Sequence, residues 1–342
     1  MVRGRYLDLA DRAVSPDAVQ LYDPRQFAGR ERWNADCGPG HQVCDPFDER
    51  AEIDWTPVWS LTRRQHRLLP TSLLYYNVPE TPGRRFCLSH SNGTAAGGTL
   101  EDALLQGVLE LVERDAVALW WYNRTRQPGV DLDAFGDDWT RELRRVHAGL
   151  GREVWTLDLT ADLGVPVFAA VSRRTDKAAE DLMFGFGAHL DPRTALRRAL
   201  TELNQLLPDV VDARPDGTGY GRLDRTALDW LRTATTANQP YVTPDPARPA
   251  TRPEDRPYLQ RADLRDDLTD VQGRLEAAGL ELLVLDQTRP DIGMPVVRVV
   301  VPGLRPHWRR LAPGRLFDVP VRLGRLAGPR AYQDLNPVPL FL

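Results

Sequence analysis

The 342-residue sequence predicts a mixed α/β (α+β) fold, and three observations carry that reading. Two strong helical patterns, at residues 100–123 and 193–207, alternate with short β-branched and aromatic runs bounded by turn residues. The two kinds of element interleave and no segment repeats, which points to one domain rather than independent modules. A hydrophobic fraction of 42% is enough to bury a substantial core.

Residues 1–60 are rich in Pro, Gly, Asp and Arg and show little sustained period outside 55–59, so they are expected to be irregular. RLLPTSLLYY at 67–76 reads as a strand or part of a lid, and 85–89 as a short strand leading into Ser91-Asn92-Gly93. The helix at 100–123 is the best-defined element. A helix at 138–150 precedes three strands, VWTLDLT (154–160), PVFAAVS (166–172) and LMFGFGA (182–188). After the helix at 193–207, residues 208–260 read as a long surface insertion with one short helix near Trp230. A helix at 264–278 ends at Gly279, LELLVLDQT (280–288) and MPVVRVVV (294–301) are strands, and 329–342 form a Pro-containing tail.

Composition removes several classes of function. The net charge of −4 gives no general attraction to nucleic acid. No run of eighteen apolar residues is present, and the N-terminus lacks the apolar core of a secretory signal, so a cytoplasmic location without membrane contact is expected. Cys37, Cys44 and Cys87 form no CxxC pair. Lys177 is the single lysine, which excludes a Walker A loop. Any ATP site must be of another kind.

The chemistry concentrates in SNGTAAGGT (91–99), a small-residue loop that empties into the helix at 100–123. Glycines let a main chain approach a ligand, and the first helical turn offers amide hydrogens to a phosphate. Thr99 with Asp102 equally resembles a plain capping box. Along the helix, Asp102, Gln106, Glu110 and Glu113 recur at spacings of four, four and three within an otherwise apolar run. Such carboxylates are costly unless paired or bound to a cation, or unless the stripe faces solvent with Glu110 and Arg114 as an i,i+4 pair. A second helix carries Arg198, Glu202 and Gln205 beside its apolar face. Glu residues from two helices facing one cleft would suit Mg2+ with a nucleotide; the bland reading is a surface pair of Arg198 with Glu202. His90 reads as a proton carrier or a structural donor. The seven arginines between 305 and 330, against the single acid Asp318, read as a guide for an acidic leader peptide or as a solvated face.

At this point the residues resemble a known family. SNGTAAGGTLEDALLQGVLELVERDA (91–116) is similar to the central motif of YcaO proteins, of the form SNGxAAGNTxEEAxxxGxxExxERxA, and ALRRALTELNQ (195–205) to their later Glu/Gln helix. VVVPGLRPHWRRLAPGRLFDVPVRLG (299–324) and NPVPLFL (336–342) resemble the azole/azoline-forming, SagD-like branch, so the resemblance covers most of 55–342. It implies mixed sheets whose helices carry the nucleotide site, with a YcaO domain over 1–328, the insertion at 208–260 included. It implies ATP and Mg2+, with Asp102, Glu110 and Glu113 as metal ligands. Ser91, Asn92 and Arg114 would bind the nucleotide, with Glu202 and Gln205 as weaker candidates and the catalytic residues unassigned.

The implied reaction is cyclodehydration in a ribosomal peptide pathway for thiazole/oxazole-modified microcins. A Cys, Ser or Thr side chain adds to the preceding backbone carbonyl, the oxyanion attacks the γ-phosphate of ATP, and phosphate leaves with the oxygen. Implied partners are a precursor peptide, a leader-binding protein (E1-like/RRE) and a flavin-dependent azoline dehydrogenase; a homodimer stays open. Departures from the pattern keep two alternatives: a catalytically degenerate scaffold that docks the precursor or a partner, and a thioamide- or amidine-forming enzyme. The family's earlier Glu-x-x-Glu-Arg helix is not found before Ser91, so the domain reads as N-terminally incomplete; Glu49 and Glu52 have the spacing but sit in an expected loop. Gly98 stands where Asn is usual and Asp102 where Glu is usual. Pro337 and Pro339 match a Pro-x-Pro-x-Pro tail whose third proline is Phe341 here.

Overall fold

Two helices start early in this chain, at Ser15-Pro16 and Asp23-Pro24. The computed structural model describes residues 1–78 and 84–341. Strand β1 (Val2–Arg5) is followed by α1 (Tyr6–Leu9), α2 (Pro16–Gln20), α3 (Pro24–Ala28) and α4 (Arg30–Asp36). Ser15 caps α2, and Asp23 with Gln26 forms a capping box on α3, each with proline in the first turn. Strands β2 (Glu52–Ser60) and β3 (Gln65–Pro70) lead to α5 (Thr71–Leu74), β4 (Thr94–Ala96) and α6 (Leu100–Asn123). Next come α7 (Asp138–Gly149), β5 (Arg152–Asp158), β6 (Val167–Arg174), β7 (Met183–Ala188), α8 (Pro192–Leu203), α9 (Leu207–Val210) and α10 (Arg225–Thr233). Then α11 (Leu264–Ala277), β8 (Leu283–Asp286), β9 (Val296–Val300) and α12 (Arg315–Arg322) complete the regular elements.

The chain divides into two compact units, Met1–Asp115 with Arg261–Phe317, and Ala116–Gln260 with Asp318–Leu342. Among the described residues, the first unit holds a six-stranded antiparallel sheet of order β1-β2-β8-β9-β4, with β3 also paired to β2. Its core joins Val58, Leu69, Leu73, Phe86, Cys87, Leu283 and Val300. The β9–β4 pairing, Val296 opposite Ala96 and Arg298 opposite Thr94, brings the SNG loop onto the sheet.

The second unit is a three-stranded antiparallel sheet, β5-β6-β7, with α8 lying on it. The sequence FGFG in β7 explains both faces, because successive strand residues point to opposite sides. A Cβ on Gly185 would lie 2.1 Å from Leu203 N, and one on Gly187 2.3 Å from Ala195 O, so glycine is what lets α8 settle on the strand. Phe184 and Phe186 join Trp120, Trp121, Trp230, Tyr241 and Phe341 in an aromatic core.

Several expectations are corrected. Residues 1–60 are not irregular: their helices are too short for a hydrophobic period to show, yet each of α2 and α3 has its cap. Glu52 opens β2 rather than sitting in a loop. Residues 85–89 form no strand; Gln20 serves their backbone instead, donating to Phe86 O at 2.7 Å and accepting from Leu88 N at 3.1 Å. The helix expected to reach 207 stops at Leu203, since Pro208 cannot donate to the Asn204 carbonyl and would clash with it. Residues 208–260 do not lie wholly at the surface, for Trp230, Tyr241 and Val242 are buried. The tail is packed too: Asn336 donates its N to Tyr122 O and its amide to Trp121 O, and Trp121 Nε1 donates to Val338 O. Leu342 lies outside the described residues. The arginine-rich stretch is not simply a solvated face, because Arg305 and Arg310 are buried and Arg315 grips Asp115 at 2.6 Å. Among the described residues no helix is long and apolar enough to cross a membrane.

Candidate functional site: the Ser91 turn and the acidic helix

A tight turn starts the site. Thr94 N donates to Ser91 O at 2.7 Å, and Gly93 sits at φ +81°. A Cβ there would meet Val299 O at 2.3 Å, and Gly93 O accepts from Val299 N at 2.7 Å. Gly97 and Gly107 answer the same need, since a Cβ would lie 2.4 Å from Ala103 N and 2.8 Å from Val299 Cγ2, respectively. These glycines therefore seat the loop between β9 and α6, whereas the loop glycines Gly93 and Gly97 were expected to let a ligand approach the main chain.

The carboxylates of α6 have separate tasks. Glu110 accepts from Gly93 N at 2.8 Å, which fixes the side chain against the SNG turn instead of in open water. Glu113 is 8% exposed and faces Arg114 at 3.3 Å, while Glu110 stands 3.7 Å from the same guanidinium. Asp102 belongs to the helix start: its Oδ2 accepts from Gly98 N, its N donates to Thr99 Oγ1, and its Oδ1 accepts from Gln106 Nε2. Among the described residues no group of three His, Cys, Asp or Glu side chains is arranged to hold a metal by itself. The polar stripe itself is real; its first rung is a cap.

Asn92 is 4% exposed and its Nδ2 has no hydrogen-bond partner, a donor turned inward beside the turn. Ser91 is exposed, at the edge of a cleft. Glu202 and Gln205 fall in the second unit. There Glu202 accepts from Phe186 N at 2.6 Å, holding the β7 backbone, and Gln205 lies exposed beyond the end of α8. Arg198 donates to Ala188 O instead of forming the expected surface pair alone.

Two buried groups escaped the sequence reading. Arg298, 2% exposed, donates to His90 O at 2.5 Å and Thr94 Oγ1 at 3.0 Å, and approaches His90 Nδ1 at 3.2 Å. Burial pushes its guanidinium down to about 10, with Tyr76 and Glu110 opposing that shift. The signal was available, since one arginine interrupts the apolar strand VVRVV. Asp115, next to the stripe, receives Arg315 in a two-pronged pair and accepts from Arg305 N at 2.9 Å. Only the fold brings those residues, two hundred apart in sequence, together. Burial, with Arg298 and Arg310 nearby, holds His90 well below the usual imidazole range, which favours its structural reading over proton transfer.

The model of the YcaO cyclodehydratase family, described as ATP- and Mg2+-binding, matches residues 1–305. This chain belongs to the YcaO family. A heterocyclase solved in complex with substrate and cofactor is 45% identical, with a TM-score of 0.93 over 100% of this chain and 45% of its own. YcaO from Methanopyrus kandleri, bound with AMPPCP and Mg2+, is 25% identical, with a TM-score of 0.57 over 83% of this chain and 78% of its own. An uncharacterized protein of Methanothermobacter thermautotrophicus is 34% identical over 297 residues, 81% of this chain and 70% of that relative. The YcaO chain described here thus spans less than half the length of the heterocyclase it matches. The mixed helices and antiparallel sheets are those of the YcaO heterocyclase fold, as the central motif implied.

Proposed function

We propose that this YcaO chain is the ATP- and Mg2+-using part of a peptide cyclodehydratase that closes thiazoline or oxazoline rings in a ribosomally made precursor. One observation carries the reading: Glu110 and Glu113 sit on a helix that opens at the glycine loop, and Glu110 turns back to bond Gly93 N. The buried, unpartnered Nδ2 of Asn92 fits a nucleotide, because it needs an acceptor that an anionic oxygen would supply. Asn92, Glu110, Glu113 and Arg114 are the residues that would hold ATP and Mg2+, with Ser91 at the mouth. ATP, when bound, supplies the phosphoryl group that makes an amide oxygen a competent leaving group. The chain's own part is to fix the turn, aim the Asn92 donor and balance charge through Arg114, in a setting where a fixed donor counts for more than in water.

The same reading assigns a precursor peptide, a leader-binding E1-like/RRE partner and a flavin-dependent azoline dehydrogenase as partners, in the cytoplasm. In its support, one similar heterocyclase was solved in complex with substrate and cofactor, and a YcaO relative bound with AMPPCP and Mg2+. Incubation of the chain with its leader-binding partner, precursor and ATP should remove one water mass per ring. An unchanged precursor, beside a relative that works under the same conditions, refutes the proposal; a gain of sulfur or an amidine mass would move it to the thioamide or amidine branch. A scaffold reading is favoured by the backbone duties of Glu110 and Asp102, which also serve a protein that merely keeps the fold. Calorimetry separates them, since a scaffold would bind no MgATP.

A further inference from the structure

Beside the Ser91 turn, the first unit opens a cleft of about 730 Å3. Its aromatic walls are Tyr75, Tyr76 and Trp308, and its cations are Arg85 and Arg310; among the described residues no carboxylate lines it. Tyr76 is 62% exposed, so its ring face is open to an incoming group. Arg310 is the telling residue. It is 5% exposed, its guanidinium rests 4.2 Å from the Tyr22 ring centroid, and its hydrogen bonds go to the carbonyls of Gly40 and Arg309 at 3.4 and 3.5 Å. No carboxylate pairs with it among the described residues, although most arginines of this chain have one. Burying a guanidinium with only long carbonyl contacts and a ring face is costly, and an incoming anion would offset that cost. Arg85 is exposed and lines the same cleft. His90, held neutral by burial, adds no charge of its own, so the two guanidinium groups set the sign of the cavity.

We infer that this cleft binds a carboxylate-bearing residue of the peptide next to the residue being cyclised. The inference rests on the peptide-modifying reading above and names the substrate class for it. A guanidinium fork matches a carboxylate, and tyrosine and tryptophan faces suit the apolar stem of a peptide chain. A phosphate chain would find the same cations, but among the described residues the lining offers no carboxylate oxygen for the Mg2+ that accompanies it. The carboxylate has two sources, an Asp or Glu side chain or the C-terminus of the peptide.

Calorimetry on the full chain, without nucleotide, distinguishes them with two pairs of synthetic peptides. The first pair is acetyl-Leu-Cys-Phe-Asp-amide against its Asn counterpart; the second is acetyl-Leu-Cys-Phe with a free carboxylate against its amide. In at least one pair the acid should bind about tenfold more tightly, the size of one charge-assisted contact, and the winning pair names the source. Arg310→Met should erase that preference and Arg85→Met reduce it, both with unchanged MgATP affinity. If Arg310→Met does not fold, the exposed Arg85→Met carries the comparison. Equal affinities within both pairs, including no binding to any peptide, overturn the inference, as does a loss of MgATP affinity in either variant, which would make the cleft a nucleotide site. A chain that prefers the acidic peptides yet forms no ring with its partner and ATP loses the cyclodehydratase reading and keeps a cleft that binds a peptide carboxylate.

Discussion

Glu110 shows how much one side chain can decide. Its carboxylate reaches both the Gly93 amide and the neighbourhood of Arg114, so charge and hydrogen bonding are separable by substitution. Glu110→Gln retains an acceptor for Gly93 N while removing the charge. MgATP affinity measured by calorimetry should therefore fall about 10- to 100-fold, the range seen when groups around a metal are altered, with little change in melting temperature. Unchanged affinity with a lowered melting temperature would leave Glu110 a purely structural residue. Arg298 works from below, joining the His90 carbonyl to Thr94 across the turn. Its place was marked in the sequence by its isolation among valines, but its partners were not.

At the scale of elements, α6 begins with a cap and ends in the aromatic core of the second unit. Asp102 bonds Gly98 N and Gln106, and its own amide meets Thr99, so its first duty is to the helix start. Asp102→Ala should cost about 1 kcal/mol of stability in urea denaturation, the usual value for a lost cap. MgATP affinity should stay as it is; a drop of tenfold or more would return Asp102 to the metal ligands. The boundaries of α6 were legible because twenty-four residues with an unbroken apolar period leave no alternative structure. The three strands β5 to β7 were legible for a similar reason. Short elements were not: α2 and α3 hold five residues each, less than two turns, and only their Ser-Pro and Asp-Pro starts marked them.

For the molecule as a whole, burial of imidazoles ties stability to pH. His307 is buried, held well below the usual imidazole value near 6.5 by desolvation and then by Arg114, with Arg310 also nearby. His147, buried in the second unit against Ser172 and Asn204, is lowered by desolvation as well. Both hold a proton less readily in the folded chain than in the unfolded one, where an imidazole takes one up near pH 6.5. The unfolded chain then binds more protons, so stability is full above pH 6.5 and is lost as pH falls below it. Denaturant midpoints at pH 6.5 and 5.5 should differ by about 1 to 2 kcal/mol of stability, and His307→Asn should flatten the slope. A flat profile in the parent chain would mean that these rings are charged in the folded state. The buried environment that predicts this belongs to no single segment, since His307 feels Arg114, His41, His90 and Arg310 together.

Sequence by itself determined the elements whose pattern is local. The apolar run of α6 fixed its extent, aromatic content between turn signals marked β7 as a strand, and the 91–116 motif was sufficient to place the chain among YcaO proteins. Tertiary structure decided which charges meet. Asp115 finds Arg315, Glu110 finds the Gly93 amide, and Arg310 stands beside a cleft that no described acid lines, because contacts between distant residues depend on packing that no short window encodes. Desolvation of these groups is likewise a property of the assembled core, and it is what turns a row of ordinary charged residues into a site.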